Sequence, residues 1–255
     1  MGEAAKKILF VNSEIYPYLP ESPIANIGRY LPQGIQERKN QLHEVIRLSG
    51  MNIIINDVDR PLVIKVASIS AARLQIYFID NEDYFRRKQT YCDENGVFFE
   101  DNAERAIFFA RGVLETVKKL RWAPDIIHCH GWISHILPAY LKKAYKDDPI
   151  FSESKVVLSL YDDTPTAPFA ADFAELARFG GADAEEFSLL EKADGINLAK
   201  TAARYSDGII LGAKDVPAEV VEYCKGLGLP MLPFNEAAME DGSYMDEYNS
   251  FYDQL

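Results

Sequence analysis

The residues best suited to chemistry lie in one segment, Pro124-Asp125-Ile126-Ile127-His128-Cys129-His130-Gly131-Trp132. In an extended strand, side chains two apart share a face, so His128 and His130 project together. The segment leaves its apolar run at Gly131 and enters a helical pattern. In open α/β sheets ligands bind at that carboxyl edge. An imidazole there can donate a hydrogen bond to a sugar hydroxyl or a phosphate. His128 is expected to cap the strand and pack internally, and His130 to meet the ligand. A metal centre needs three or four ligands. His43 and His135 complete the four histidines and have no evident convergence with this pair, so no metal site is expected.

A second segment with chemical potential is the loop Ser13-Glu14-Ile15-Tyr16-Pro17-Tyr18-Leu19-Pro20-Glu21-Ser22-Pro23. A strand, a loop and a helix start commonly make a phosphate site. Such a cradle favours glycines, whose backbone N–H groups can approach the anion, and often a lysine. Here prolines remove N–H groups, and Glu14 and Glu21 repel anions. The loop is a poor phosphate cradle. No nucleophile elbow, P-loop, HExxH, EF-hand or GxGxxG pattern occurs, and no catalytic residue is assigned.

The elements that must position these residues follow from periodicity. Continuous apolar or β-branched runs predict strands at 7–12, 52–55, 62–69, 74–79, 125–129, 155–160 and 208–211. Ser22-Pro23 reads as the start of a helix, with Ser as N-cap and Pro at the first helical position. Asp101 and Glu104 form a capping-box pattern before a long helix ending near Trp122. Further helices are expected at 132–145, kinked at Pro138, at 169–178, at 184–200 with an interruption near Gly195, and at 217–225. Strands alternating with helices predict an α/β, doubly wound, mainly parallel sheet. One domain is expected over 1–235, followed by an acidic aromatic helix or tail over 236–255.

Of 255 residues, 48 % are apolar and 26 % charged, which excludes global disorder. The net charge of −12 argues against nucleic-acid binding. Half of it comes from Glu236, Glu240, Asp241, Asp246, Glu247 and Asp253, in a tail with no Lys or Arg. On that tail Tyr244, Tyr248, Phe251 (or Tyr252) and Leu255 recur at helical spacing. They either pack on their own domain or offer a face to a partner protein or a second copy. No apolar run is long enough to cross a membrane. Cys92, Cys129 and Cys224 are odd in number and widely spaced, which suits a reduced, cytoplasmic setting.

These pieces together resemble the N-terminal domain of bacterial glycogen synthases and plant starch synthases. Ser13-Glu14 matches the family's S-E pair, and 125–132 resembles its P-D-[IV]-[IV]-H-x-H-D-W segment. Leu137-Pro138-Ala139-Tyr140-Leu141-Lys142 matches the helix that follows. Asn197, Lys200, Tyr205 and Asp207 fit N-F-L-K-x-x-x-x-Y-A-D. The similarity runs from Lys7 to about Val220. It implies a Rossmann-like half of a GT-B glycosyltransferase. That family moves glucose from ADP-glucose or UDP-glucose to an α-1,4-glucan with retention of configuration, and uses no cofactor. The resemblance places His130, Glu14, Ser13, Tyr161 and Asp162 at the substrate.

The departures are as informative. The family's Lys-Thr-Gly-Gly falls on Pro20, Glu21, Ser22 and Pro23, so its phosphate-binding Lys is absent. The Asp of H-D-W is Gly131. T-I-H-N falls on Ser159, Leu160, Tyr161 and Asp162, and V-S-P on Gly212, Ala213 and Lys214. No counterpart of the family's second strand is found between Gln36 and Glu37. Its loss would break a parallel sheet, so that segment is expected to be missing from this chain rather than deleted from the fold. The second Rossmann-like domain of the family, roughly 150–250 residues, has no counterpart either. The isolated chain is therefore expected to be inactive in glucosyl transfer. The alternative is a non-catalytic glucan- or protein-binding regulator of glycogen metabolism.

Overall fold

The computed structural model describes residues 6–37 and 51–255. In chain order the first elements are β1 (Ile8–Asn12), α1 (Pro23–Glu37), β2 (Met51–Ile55), β3 (Val58–Ile69), β4 (Leu74–Asp80), α2 (Glu82–Phe85) and α3 (Asn102–Leu120). Then come β5 (Ile126–His130), α4 (Leu137–Lys143), β6 (Lys155–Leu160), α5 (Phe173–Leu176), α6 (Gly195–Arg204) and β7 (Gly208–Leu211). The last are α7 (Ala218–Gly226), β8 (Met231–Leu232), α8 (Glu236–Asp241) and α9 (Tyr244–Tyr252). Strands β1-β5-β6-β7-β8 form a parallel sheet in that order. The expected α/β architecture is the one observed. Strands β2-β3-β4 form a separate antiparallel sheet. Its first hairpin turns on Asn56 and Asp57, both at positive φ, as a two-residue turn between twisted strands requires. No described helix is long and apolar enough to cross a membrane.

The apolar runs of β5 and β6 are buried on both faces, as central parallel strands require, whereas β1, at the edge of the described sheet, buries Ile8 and Val11 and leaves the rest half-buried. One face packs on α3, α4, α6 and the antiparallel sheet, through Ile127, Cys129, Val156 and Leu158. The other face packs on α1 and α9. There Ile8, Ile126, Val157 and Ile210 meet Ile24, Ile27, Leu31 and Ile35 of α1, and Tyr244, Tyr248, Phe251 and Tyr252 of α9. The tail aromatics Tyr244, Tyr248 and Phe251, considered for a partner interface, are therefore turned inward. Burying them against their own sheet removes more apolar area from water than exposing them would allow. The acids Asp246 and Glu247 fall in the first turn of α9, where carboxylates suit the helix dipole.

Several local expectations need correction. Asp101 and Glu104 do not cap α3 reciprocally: Asp101 pairs with Arg87, and Glu104 accepts from the Tyr84 hydroxyl at 2.5 Å. Pro138 does not kink a helix. A 3-10 turn at Trp132–Ser134 precedes α4, whose first turn holds Pro138 and needs no N–H there. The helix expected over 184–200 is a short 3-10 segment and then α6, which starts at Gly195. A side chain at Gly195 would sit 2.4 Å from the Pro165 carbonyl. Strand β8 carried too short an apolar run to be recognised. The expected gap between Gln36 and Glu37 borders residues 38–50, which lie outside the described residues.

Candidate functional site

The parallel register sets the site. Asn12 pairs with His130, and His130 with Ser159, at the carboxyl ends of β1, β5 and β6. Alternation then puts Phe10 and Asn12, His128 and His130, and Ser159 and Tyr161 on the face that α1 and α9 cover. His128 Nδ1 and the Tyr252 hydroxyl are hydrogen-bonded at 2.7 Å, and His128 Nε2 and Ser159 Oγ at 2.7 Å. His130 Nδ1 and the Tyr161 hydroxyl are bonded at 2.6 Å. The two imidazoles lie 3.8 Å apart, centroid to centroid.

Both rings are fully buried, and burial decides their charge. It pushes His130 down to about 3, and holds His128 well below its usual value with His130 beside it. Both are neutral near pH 7. His128 has both nitrogens satisfied, which is the internal packing expected of it. His130 Nε2 has no hydrogen-bond partner among the described residues. A buried imidazole nitrogen left unpaired is costly, and such exceptions call for a ligand, a water or a strained contact.

The loop after β1 has become part of the helix start. Ser22 Oγ accepts from the Ala25 N–H at 3.0 Å, the N-cap bond expected of it, and donates to Glu14 Oε2 at 2.6 Å. The helix N-terminus, where an anion would dock, is thus occupied by a side-chain oxygen and a carboxylate of the chain itself. Pro20, Glu21 and Pro23 are exposed around it. At Gly28 the helix approaches so closely that an added Cβ would be 2.6 Å from the Glu14 carbonyl.

Two further groups enter the site without a sequence signal. Asp163 Oδ2 accepts from the Trp132 backbone N–H at 2.8 Å, and its Oδ1 has no described partner. Burial, with Asp162 and Glu14 nearby, raises Asp163 to about 6. Tyr91, from the irregular segment after α2, packs its ring 4.7 Å from that of Trp132. Burial raises its phenol, against a side-chain interaction with Ser13 that lowers it, and Glu14, Asp163 and Arg105 are the charged groups within reach. Of the five residues placed at the substrate, Ser13 and Glu14 line the β1 loop, while His130 and Tyr161 are joined by their hydrogen bond. Asp162 is exposed, one residue short of the carboxylate that faces the site. Gly212 makes room for Tyr161, since a Cβ there would sit 2.3 Å from the ring. A cavity of about 560 Å³ opens beside β1, lined in part by Ser13, Glu14, Tyr77, Arg87 and Tyr91. That volume suits a small-molecule ligand.

Gly131 has φ 80° and ψ 148°, a region essentially closed to other residues. A Cβ there would also lie 2.2 Å from Ser13 Oγ. We expect Gly131→Asp, which writes the H-D-W pattern back into the chain, to destabilise the fold. The backbone strain alone costs about 1–3 kcal/mol. Urea unfolding checks it, and a variant as stable as the parent would contradict this account of the turn.

Residues 7–232 match the family model described as starch synthase catalytic domain. The glycogen synthase of Chlorobium limicola (strain DSM 245 / NBRC 103803 / 6330) is 32 % identical over 235 residues, which cover 84 % of this chain and 47 % of that protein. That of Chlorobaculum tepidum (strain ATCC 49652 / DSM 12025 / NBRC 103806 / TLS) is 34 % identical over 174 residues, 61 % of this chain and 36 % of that protein. The chain thus spans about half the length, or less, of these curated relatives. Among solved structures, the catalytic domain of starch synthase IV from Arabidopsis thaliana, bound to ADP and acarbose, matches with a TM-score of 0.71 and 14 % identity. The match covers 91 % of this chain and 51 % of that one, and at that identity it carries the fold alone.

Proposed function

Because the chain belongs to the starch synthase catalytic domain family, we propose that it is a member that binds neutral α-glucan and does not itself transfer glucose from a nucleotide sugar. One observation carries this reading: the segment 20–23 is folded into the cap of α1, with Glu14 bonded to Ser22. A diphosphate brought to that helix start would meet a carboxylate in place of a cation, on a chain of net charge −12. A glucan end has no charge to repel. Unpaired oxygens and the His130 nitrogen offer it hydrogen bonds. Transfer needs the leaving nucleotide stabilised, and each 1.36 kcal/mol lost there is about tenfold in rate. Losing the cation therefore removes several orders of magnitude.

We expect no radiolabelled glucose from ADP-glucose or UDP-glucose to be incorporated into glycogen by this chain. Calorimetry is expected to give heat with maltohexaose and none with ADP. Sustained incorporation would overturn the reading. So would ADP binding that disappears in His130→Ala, which would mark a working donor site.

A further inference from the structure

A neutral imidazole carries one N–H and one bare nitrogen, so each hydrogen bond to the ring decides which is which. Tyr252 of α9 is buried, and His128 Nδ1, at 2.7 Å, is the acceptor that its hydroxyl meets. A buried phenol hydrogen without an acceptor is costly, so Tyr252 donates and His128 Nδ1 is bare. His128 then has its hydrogen on Nε2 and donates it to Ser159 Oγ, at 2.7 Å. Ser159 also interacts with the hydroxyls of Tyr161 and Tyr248, both buried side chains. With its lone pairs taken by His128 and Tyr248, Ser159 gives its own hydrogen to Tyr161. Tyr161 in turn donates to His130 Nδ1, at 2.6 Å. The hydrogen of His130 is left on Nε2, the nitrogen with no partner among the described residues. The opposite sense would bury the Tyr252 hydrogen with no acceptor.

We propose that the tail phenols Tyr252 and Tyr248, acting through His128, Ser159 and Tyr161, are positioning residues that hold His130 as its Nε2–H tautomer, so that the site offers an N–H donor there and selects a ligand oxygen with a free lone pair. A protonated amine only donates, and finds no acceptor at this nitrogen. The chain of bonds is built from residues particular to this protein. Tyr248 and Tyr252 lie past residues 7–232, the span matched by the family model. Ser159 and Tyr161 stand where the family pattern has the Thr and His of T-I-H-N. Bonds that run in one sense polarise and strengthen one another in a low-dielectric interior, so a donor fixed at the tail end biases the ring at the site end. The two imidazoles also lie 3.8 Å apart, centroid to centroid, so the dipole of one acts on the other. The assignment holds for any ligand and does not depend on the glucan reading.

The test is nitrogen NMR of the chain carrying isotope-labelled histidine, near pH 7, where both rings are neutral. Long-range proton–nitrogen correlations separate a protonated ring nitrogen from a bare one, and His128→Gln and His130→Gln assign the signals. In the parent, both rings are expected in a single form with the hydrogen on Nε2. Tyr252→Phe removes the first donor. Ser159 is then free to donate to His128 and Tyr161 to donate to Ser159, so His130 is expected as a mixture of both tautomers. Tyr244→Phe makes the same change on the same helix, outside the chain of bonds, and should leave both rings as in the parent. A role in packing alone would not move the hydrogen of a ring that Tyr252 does not touch. Thermal melts show whether each variant folds. Should Tyr252→Phe fail to fold, Ser159→Ala decides by the same readout, because it cuts the chain between the two rings. A parent with the His130 hydrogen on Nδ1 overturns the proposal. So does a His130 signal left unchanged by Tyr252→Phe, or by Ser159→Ala in its place, since the tail would then have no hold on that ring.

Discussion

Between pH 7 and pH 5 the domain is expected to lose a large part of its stability. The cause is three histidines buried as neutral rings. Burial pushes His130 and His135 down to about 3 and holds His128 well below its usual value. In the unfolded chain each titrates near 6.5. Below that pH the unfolded chain binds protons that the folded chain refuses, so acid favours unfolding. Each such group costs about 1.4 kcal/mol per pH unit, or about 4 kcal/mol per unit for three. Asp163 acts in the opposite sense. Raised to about 6, it takes a proton in the folded state before the unfolded chain would, and opposes the loss by about 1.4 kcal/mol per unit between pH 6 and 4. The net slope of about 2.7 kcal/mol per unit is steep against a total stability of about 5–15 kcal/mol. Urea midpoints at pH 7, 6 and 5 measure it. His135→Leu should move the acid transition to lower pH. Equal midpoints at pH 7 and pH 5 would mean that the rings are protonated in the folded state.

The same histidines show what the sequence made legible. Two imidazoles spaced two apart in a continuous apolar run predicted a buried strand with both rings on one face, and that is how β5 holds them. Local pattern was enough because strand periodicity is a short-range property. Ser22-Pro23 was equally readable, since an N-cap needs only its own next turn. Asp163 and Tyr91 were not. Each reaches the site from an irregular segment, so no periodicity points them inward. Their burial depends on a turn at Gly131 whose positive φ a sequence does not display. The Asp101–Glu104 pattern failed for a related reason: Arg87 and Tyr84, distant in sequence, compete for those carboxylates.

Phe251→Ala tests how the tail supports the site, and a loss of about 3–5 kcal/mol is expected. Phe251 is 3 % exposed, in one cluster with Ile8, Ile126, Val157 and Ile210. Its ring fills the space that Gly208 leaves open, where a Cβ would lie 2.9 Å from Cε1 and Cζ. Truncation removes the transfer energy of the ring and leaves a cavity over rigid strands, which cannot collapse to fill it. Residue 252 follows directly, and its hydroxyl holds His128 Nδ1. Loosening α9 therefore exposes an unpaired imidazole beside His130 as well as apolar surface, so stability and glucan affinity should fall together. Urea unfolding measures the first and calorimetry the second. A change below about 1 kcal/mol would show that α9 is not part of the cooperative core. An unchanged glucan affinity in a strongly destabilised variant would separate the tail from the site, leaving His130 oriented by Tyr161 alone.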